Sequence, residues 1–320
     1  MQHPSPIVPA LLQPYLRRAG DILVLDGALA TELESRGADI NDPLWSAKIL
    51  LEAPASIRQL HYDYFAAGAD VAITASYQAS FEGFAARGLD RSQSAKLIRL
   101  SVELALQARD DFLEKAERES DRPPPLVAAS VGPYGAHLHD GSEYRGDYSV
   151  PDRQLIDFHL RRIEVLLQAG PDLLALETIP SLREGELLLR ALEEFPHALA
   201  WLSFSCRDGA SLNHGESFAS AMAAAADSAQ IVAAGVNCTP PQFVCDLLTS
   251  VSGETGKPLL AYPNSGECYV AGDNTWLPGQ TDDSLAGMAA QWRRLGARII
   301  GGCCRTGVAD IAQLSRSLRT

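Results

Sequence analysis

Leu173-Leu174-Ala175-Leu176-Glu177-Thr178-Ile179 is an apolar run that does not alternate with polar positions and that carries a carboxylate near its end. Continuous apolarity over so short a span reads as a strand covered on both faces, as in a parallel sheet. Seven further runs share this pattern: Ile22–Ala28, Val71–Tyr77, Leu126–Val131, Ala198–Ser205, Ile231–Cys238, Pro258–Asn264 and Ala297–Cys304. Helical spacing lies between them. Leu97, Ser101, Leu104, Ala108 and Phe112 recur at steps of three and four, and so do Leu155, Phe158, Ile163, Leu166 and Leu167, with Gly170 as the stop. Phe218–Ala229 and Thr306–Leu318 read as two more helices, and Glu114–Pro125 as an exposed connection. Strand and helix thus alternate eight times, which predicts a single-domain (β/α)8 TIM barrel over residues 21–320, with residues 1–20 as an extension packed on it. A doubly wound open sheet remains the alternative from spacing alone. Its nucleotide-binding form has no support, because no G-x-G-x-x-G follows the first strand.

The chain has 320 residues, 46% hydrophobic and 21% charged, the profile of a globular enzyme. Its 27 basic and 40 acidic residues give a formal net charge of −13, and no basic run exceeds Arg161-Arg162 or Arg293-Arg294. Nucleic acid is therefore a disfavoured partner. No apolar window approaches the ~18 residues of a membrane span. The first 20 residues carry Pro4, Pro6, Pro9 and Pro14 rather than the apolar centre of a signal peptide, so a cytoplasmic setting is expected. Six cysteines are too few for a disulfide scaffold; their placement matters more than their number.

Barrel active sites occupy the rim at the strand C-termini. There the runs end in Asp26-Gly27, Ser76-Tyr77-Gln78, Gly132-Pro133-Tyr134, Glu177-Thr178, Ser205-Cys206, Asn237-Cys238, Pro263-Asn264 and Gly301-Gly302-Cys303-Cys304. Neighbouring side chains on a regular strand point to opposite faces, so Cys303 and Cys304 can share one point only if the backbone leaves extended geometry, which Gly301-Gly302 would permit. With Cys238 they could then hold a zinc ion with a fourth position open. Three thiolates leave the metal with a net charge of −1. That makes a modest Lewis acid but an adequate trap for another thiol, and it favours sulfur alkylation over hydrolysis. Buried structural thiols, a Cys303–Cys304 disulfide and redox exchange are the competing readings. Cys206 and Cys268 are spare candidates, and Cys245 reads as core.

These residues carry a resemblance. Gly301-Gly302-Cys303-Cys304-Arg305-Thr306 and Val236-Asn237-Cys238-Thr239 are similar to the homocysteine S-methyltransferase family. So are Leu25-Asp26-Gly27-Ala28-Leu29-Ala30-Thr31-Glu32-Leu33, Thr74-Ala75-Ser76-Tyr77-Gln78-Ala79 and Ser130-Val131-Gly132-Pro133-Tyr134-Gly135-Ala136. Asp140-Gly141-Ser142-Glu143-Tyr144, Glu177-Thr178-Ile179-Pro180 and Tyr262-Pro263-Asn264-Ser265-Gly266-Glu267 follow in order, so the likeness spans residues 20 to 315. It looks closest to the branch using S-methylmethionine or S-adenosylmethionine. The resemblance implies a zinc enzyme that methylates homocysteine, with Cys238, Cys303 and Cys304 as metal ligands and Asp26 and Glu177 holding the substrate ammonium. A betaine-using enzyme and a non-catalytic zinc or thiol-redox protein are the alternatives.

The remaining candidates follow from chemistry. The substrate carboxylate needs donors, for which the amides near Gly301-Gly302, the helix start at Thr306, Ser76 and Asn237 are available. A sulfonium is attracted by aromatic faces, which points to Tyr77, Tyr134 and Trp276, and Glu143 could hold the donor's ammonium. His137-x-His139 reads as an exposed loop pair and His61 as a packed or surface helix residue. Oligomeric state is not legible.

Overall fold

The computed structural model describes residues 8–18, 20–40, 46–115, 122–252, 255–270, 275–277 and 284–319, without the side chains at 46, 268–270 and 275–277. Its strands, in chain order, are β1 Leu23–Val24, β2 Val71–Ile73, β3 Leu126–Val131, β4 Leu173–Ile179 and β5 Ala200–Phe204. They continue with β6 Ile231–Asn237, β7 Leu259–Tyr262, β8 Cys268–Val270, β9 Thr275–Leu277 and β10 Ala297–Ile300. Eight of them pair in parallel in the order β1-β10-β7-β6-β5-β4-β3-β2, and a parallel bridge between Leu25 and Val71 joins the two ends. The closed sheet, with helices such as Arg91–Lys115 and Asp152–Gln168 between strands and Val308–Arg319 after the last, is a single-domain TIM barrel. The antiparallel hairpin β8-β9 is an insertion between β7 and the last barrel strand.

Every barrel strand falls within one of the apolar runs; β3 and β4 match theirs, and the other six are shorter. Val71–Tyr77 gives a strand that stops at Ile73, and Ala297–Cys304 one that stops at Ile300, because the last residues of each run leave the ladder to form the rim. The helices at 91–115 and 152–168 contain the two periodic stretches, the other two expected helices form as Phe218–Asp227 and Val308–Arg319, ending two residues earlier and starting two later than expected, and Gly170 has the left-handed φ of +79° that a helix stop requires. Within the Glu114–Pro125 connection, helix extends to Lys115, and residues 116–121 lie outside those described.

Two apolar layers form, one on each side of the strands. Val24, Val127, Leu174, Leu176, Leu202, Val236 and Ile300 face outward and pack against helix residues such as Ile57, Ile98, Leu188 and Ile311. Leu23, Leu25, Val71, Ala128, Ala175, Trp201, Leu260 and Ile299 fill the interior. Leu12 and Leu16, from the segment preceding β1, are 2% and 4% exposed and belong to that inner layer. Residues 1–7 of the expected extension lie outside those described. Among the described residues no helix is long and apolar enough to cross a membrane.

Candidate metal and substrate site

Above the apolar interior, the inward positions turn polar. The Ser130 hydroxyl donates to Glu177 Oε1, and the Tyr262 hydroxyl donates to Glu177 Oε2 at 3.1 Å. Ser203 Oγ lies 2.7 Å from the same Tyr262 oxygen, and the Trp201 indole donates to it at 3.0 Å. Over this layer opens a cavity of about 120 Å³. Its wall includes Tyr77, Glu143, Tyr144, Glu177, Tyr262 and the three cysteines Cys238, Cys303 and Cys304.

The three sulfurs lie within 4.8 Å of one another, with Cys238 Sγ 3.6 Å from Cys304 Sγ. Tetrahedral zinc with Zn–S near ~2.3 Å sets its sulfurs about 3.8 Å apart, so the cluster fits that ion. Asn237 closes β6 and Cys238 follows it, while Cys303 and Cys304 follow β10, two strand places away across β7. The route to that convergence differs from the sequence expectation. Neither Gly301 nor Gly302 has a left-handed φ; the positive values fall on Cys238 at +45° and Arg305 at +64°. The glycines serve close approach instead, since a Cβ at Gly301 would strike the Leu25 side chain and one at Gly302 the Thr306 side chain. Without metal, the neighbouring thiols of Cys303 and Cys304 and the Tyr144 hydroxyl hold the Cys238 thiol well below its ordinary range. The protons they share keep Cys303 and Cys304 above it.

The carboxylates are buried around this cluster. Burial pushes Glu177 up to about 7, opposed by the Ser130 and Tyr262 hydrogen bonds. Burial also raises Asp26, 1% exposed, well above the carboxylate range; the Ile73 amide opposes it and the charge of Glu177 adds to it. Asp26 Oδ2 accepts from Ile73 N at 2.8 Å, while Oδ1 has no partner; at this strand end it is the next residue, Gly27, that lines the cavity. Glu143, on the 3-10 turn Ser142–Tyr144, is pushed up to about 7 by burial, and its Oε2 also has no partner. Tyr77 reaches the cavity from the segment after β2, its ring passing so close to Gly132 that a Cβ there would strike it.

Other candidates lie elsewhere. Ser76 Oγ donates to Ser130 O at 2.7 Å and Asn237 gives its whole amide to Thr178; both are buried behind the wall. Tyr134 stacks in an aromatic group with Tyr148 and Phe158 rather than lining the cavity. The amides of Gly301, Gly302 and Thr306 already donate to Ala261, Asp26 and Cys303 carbonyls, and the last helix starts at Val308. Cys206 is buried, its amide bonded to Thr239 Oγ1, and stands apart from the three-sulfur cluster. His61 is fully buried on the helix Pro54–Ala67, and His137 bonds Tyr134 O. The side chains of Cys268 and Trp276 are outside those described. Tyr144 and Tyr262 were not singled out from sequence, although their positions beside Glu143 and at the end of β7 gave the signal; Tyr144 places its hydroxyl 3.4 Å from Cys238 Sγ.

Comparisons with known proteins agree with this arrangement. The family model described as Homocysteine S-methyltransferase matches residues 23–318. Homocysteine S-methyltransferase YbgG of Bacillus subtilis is 50% identical over 93% of this chain and 96% of its own length. Homocysteine S-methyltransferase of Escherichia coli is 51% identical over 92% and 94% respectively. The crystal structure of the metallated form of the homocysteine methyltransferase MmuM from Escherichia coli superposes with a TM-score of 0.86 at 47% identity, covering 97% of this chain and 100% of that one. A closed parallel barrel, three convergent cysteines at its rim and near-full-length identity of this order leave one assignment: the chain belongs to the homocysteine S-methyltransferase family.

Proposed function

We propose that this protein transfers a methyl group from a sulfonium donor, S-methylmethionine or S-adenosylmethionine, to the thiol of L-homocysteine, forming methionine. The observation that carries the reading is the meeting of three cysteine sulfurs with the buried carboxylates of Glu177 and Glu143 around one cavity. Cys238, Cys303 and Cys304 would hold zinc, which supplies the Lewis acidity that takes a substrate thiol's proton off at neutral pH. Glu177 and Asp26 receive the homocysteine ammonium, each through a charge-assisted hydrogen bond, and Asp26 Oδ1 has no partner to surrender. Tyr77 offers a ring face to the sulfonium, and Glu143 Oε2 an acceptor for the donor's ammonium.

The chemistry needs little more. The deprotonated homocysteine sulfur attacks the methyl carbon in line as the donor's sulfur–carbon bond breaks, and the donor leaves as a neutral thioether. Opposite charges cancel in that step, which a water-poor, pre-oriented cavity favours. With S-methylmethionine both products are methionine. Three thiols that must stay reduced fit a cytoplasmic setting. The test is a panel of methyl-labelled donors with purified zinc-loaded protein and homocysteine. Label appearing in methionine from a sulfonium donor, and absent with Cys303→Ala, is expected. Label arriving only from betaine, or from no donor, would overturn the reading.

A further inference from the structure

Asn237 was a candidate for touching substrate, yet it is fully buried and both ends of its amide are engaged by one residue on another strand. Its Oδ1 accepts from Thr178 N at 2.7 Å, and its Nδ2 donates to Thr178 Oγ1 at 2.8 Å. Thr178 has φ of +60°, a left-handed backbone that a β-branched residue adopts only under constraint. Its carbonyl accepts from Ser205 Oγ at 3.4 Å. One residue is thus tied to the segment that follows β5 and to the end of β6.

The conformation matters because of where it falls. Leu176 pairs with Leu202 and Ile179 with Phe204, so β4 takes three steps where β5 takes two. Thr178 is part of the resulting bulge. Leu176 and Ile179 both face the outer apolar layer, while Glu177 between them points into the barrel. Strict alternation would send Ile179 inward, so the bulge is what lets a single inward carboxylate sit between two outward apolar residues. On the other side of the clamp, the residue after Asn237 is Cys238, itself left-handed at +45°.

We propose that Asn237 is a positioning residue: by holding Thr178 left-handed it fixes the adjacent Glu177 relative to Cys238. Glu177 is the ammonium acceptor of the reading above, on which this inference rests. The clamp therefore sets the distance between the point that binds the substrate's amino group and the point that binds its sulfur.

The experiment exploits the one residue that needs no clamp. Glycine adopts positive φ freely, so Asn237→Ala should be rescued by Thr178→Gly if Asn237 works through the Thr178 backbone, and not if it merely fills space. With zinc-loaded proteins, calorimetry of homocysteine binding and steady-state kinetics are measured in parallel. Asn237→Ala is expected to weaken homocysteine binding and raise its KM roughly tenfold or more, with a smaller effect on kcat. The double variant should return to within about threefold of wild type by the same reasoning. Wild-type affinity in Asn237→Ala, or no rescue by glycine, would overturn the proposal. Should Asn237→Ala fail to fold, Thr178→Val and Thr178→Gly decide it: the branched residue without its hydroxyl should bind homocysteine weakly and glycine normally, and equal behaviour would refute the clamp. Amide exchange at Thr178 in these proteins reads the clamp without substrate. A wild type that binds no homocysteine defeats the acceptor site, while unchanged Thr178 exchange in the unclamped variants defeats the clamp.

Discussion

Tyr262, at the end of β7, donates its hydroxyl to Glu177 Oε2 at 3.1 Å, three strand places away across the barrel interior. The bond stabilises a carboxylate that burial has raised to about 7. If the ionised form receives the homocysteine ammonium, the acceptor's affinity falls as pH drops through that value. Tyr262→Phe removes a bond to the charged form, so it should raise the Glu177 pKa further and shift the acid limb of kcat/KM for homocysteine to higher pH. Glu177→Gln should abolish that limb and raise the homocysteine KM about tenfold to a hundredfold, the worth of one charge-assisted hydrogen bond. A pH profile identical to wild type in both variants would contradict the assigned role.

Metal removal separates chemistry from fold. The cysteines sit on the rim, whereas the two apolar layers hold the strands together. Chelation should therefore stop methyl transfer while leaving the far-ultraviolet circular dichroism intact, and added zinc should restore turnover. Cys303→Ala should lose both metal retention and activity. An active protein without metal would refute the arrangement.

His61 supplies a stability prediction. It is fully buried on the helix Pro54–Ala67, neither ring nitrogen has a hydrogen-bond partner, and burial lowers its pKa from 6.5 to about 4. The folded pKa lies below the unfolded one, so the unfolded chain takes up a proton first as pH falls. Stability from this group is present above 6.5 and is lost between 6.5 and 4, by about 3 kcal/mol in all. His61→Leu should flatten the pH dependence of urea unfolding across that window, and an unchanged slope would disprove it.

Arg162, 1% exposed, lies in a buried chain of groups: its Nη2 is 2.9 Å from His159 Nδ1, and His159 Nε2 is 3.0 Å from Glu184 Oε1. Glu184 also accepts from the Tyr134 amide and the Tyr148 hydroxyl, both at 2.6 Å. Arg162 further bonds the Gly132 carbonyl behind the Tyr77 ring. Arg162→Met leaves the Glu184 carboxylate without its cation and should cost about 3–5 kcal/mol in chemical denaturation. A loss below about 1 kcal/mol would show the charge to be idle.

The fold was legible because eight apolar runs, broken by glycine, proline and small polar residues, leave little choice of period; Leu126–Val131 and Leu173–Ile179 match their strands residue for residue. The hairpin Cys268–Val270 with Thr275–Leu277 was not legible, since residues 265–283 carry no comparable run. The metal cluster could be read from residue type and strand position. What could not be read was direction. Asn237 and Ser76 stand at strand ends like Glu177, yet a bulge at Thr178 and the backbone of Ser130 claim their polar groups. Tyr134 follows Tyr77 in kind, but its ring belongs to the Tyr148 and Phe158 group. One-dimensional spacing contains the candidates; only the local backbone says which face the cavity.

The pairing order β6-β7-β10 also constrains biosynthesis. A nascent chain that has emerged as far as β7 presents one sulfur of the cluster, Cys238, and the other two are missing until β10 and the residues after it arrive and dock against β1. Tight metal loading thus cannot precede closure of the cylinder, and a stalled or clipped polypeptide is left without a competent trap for the ion.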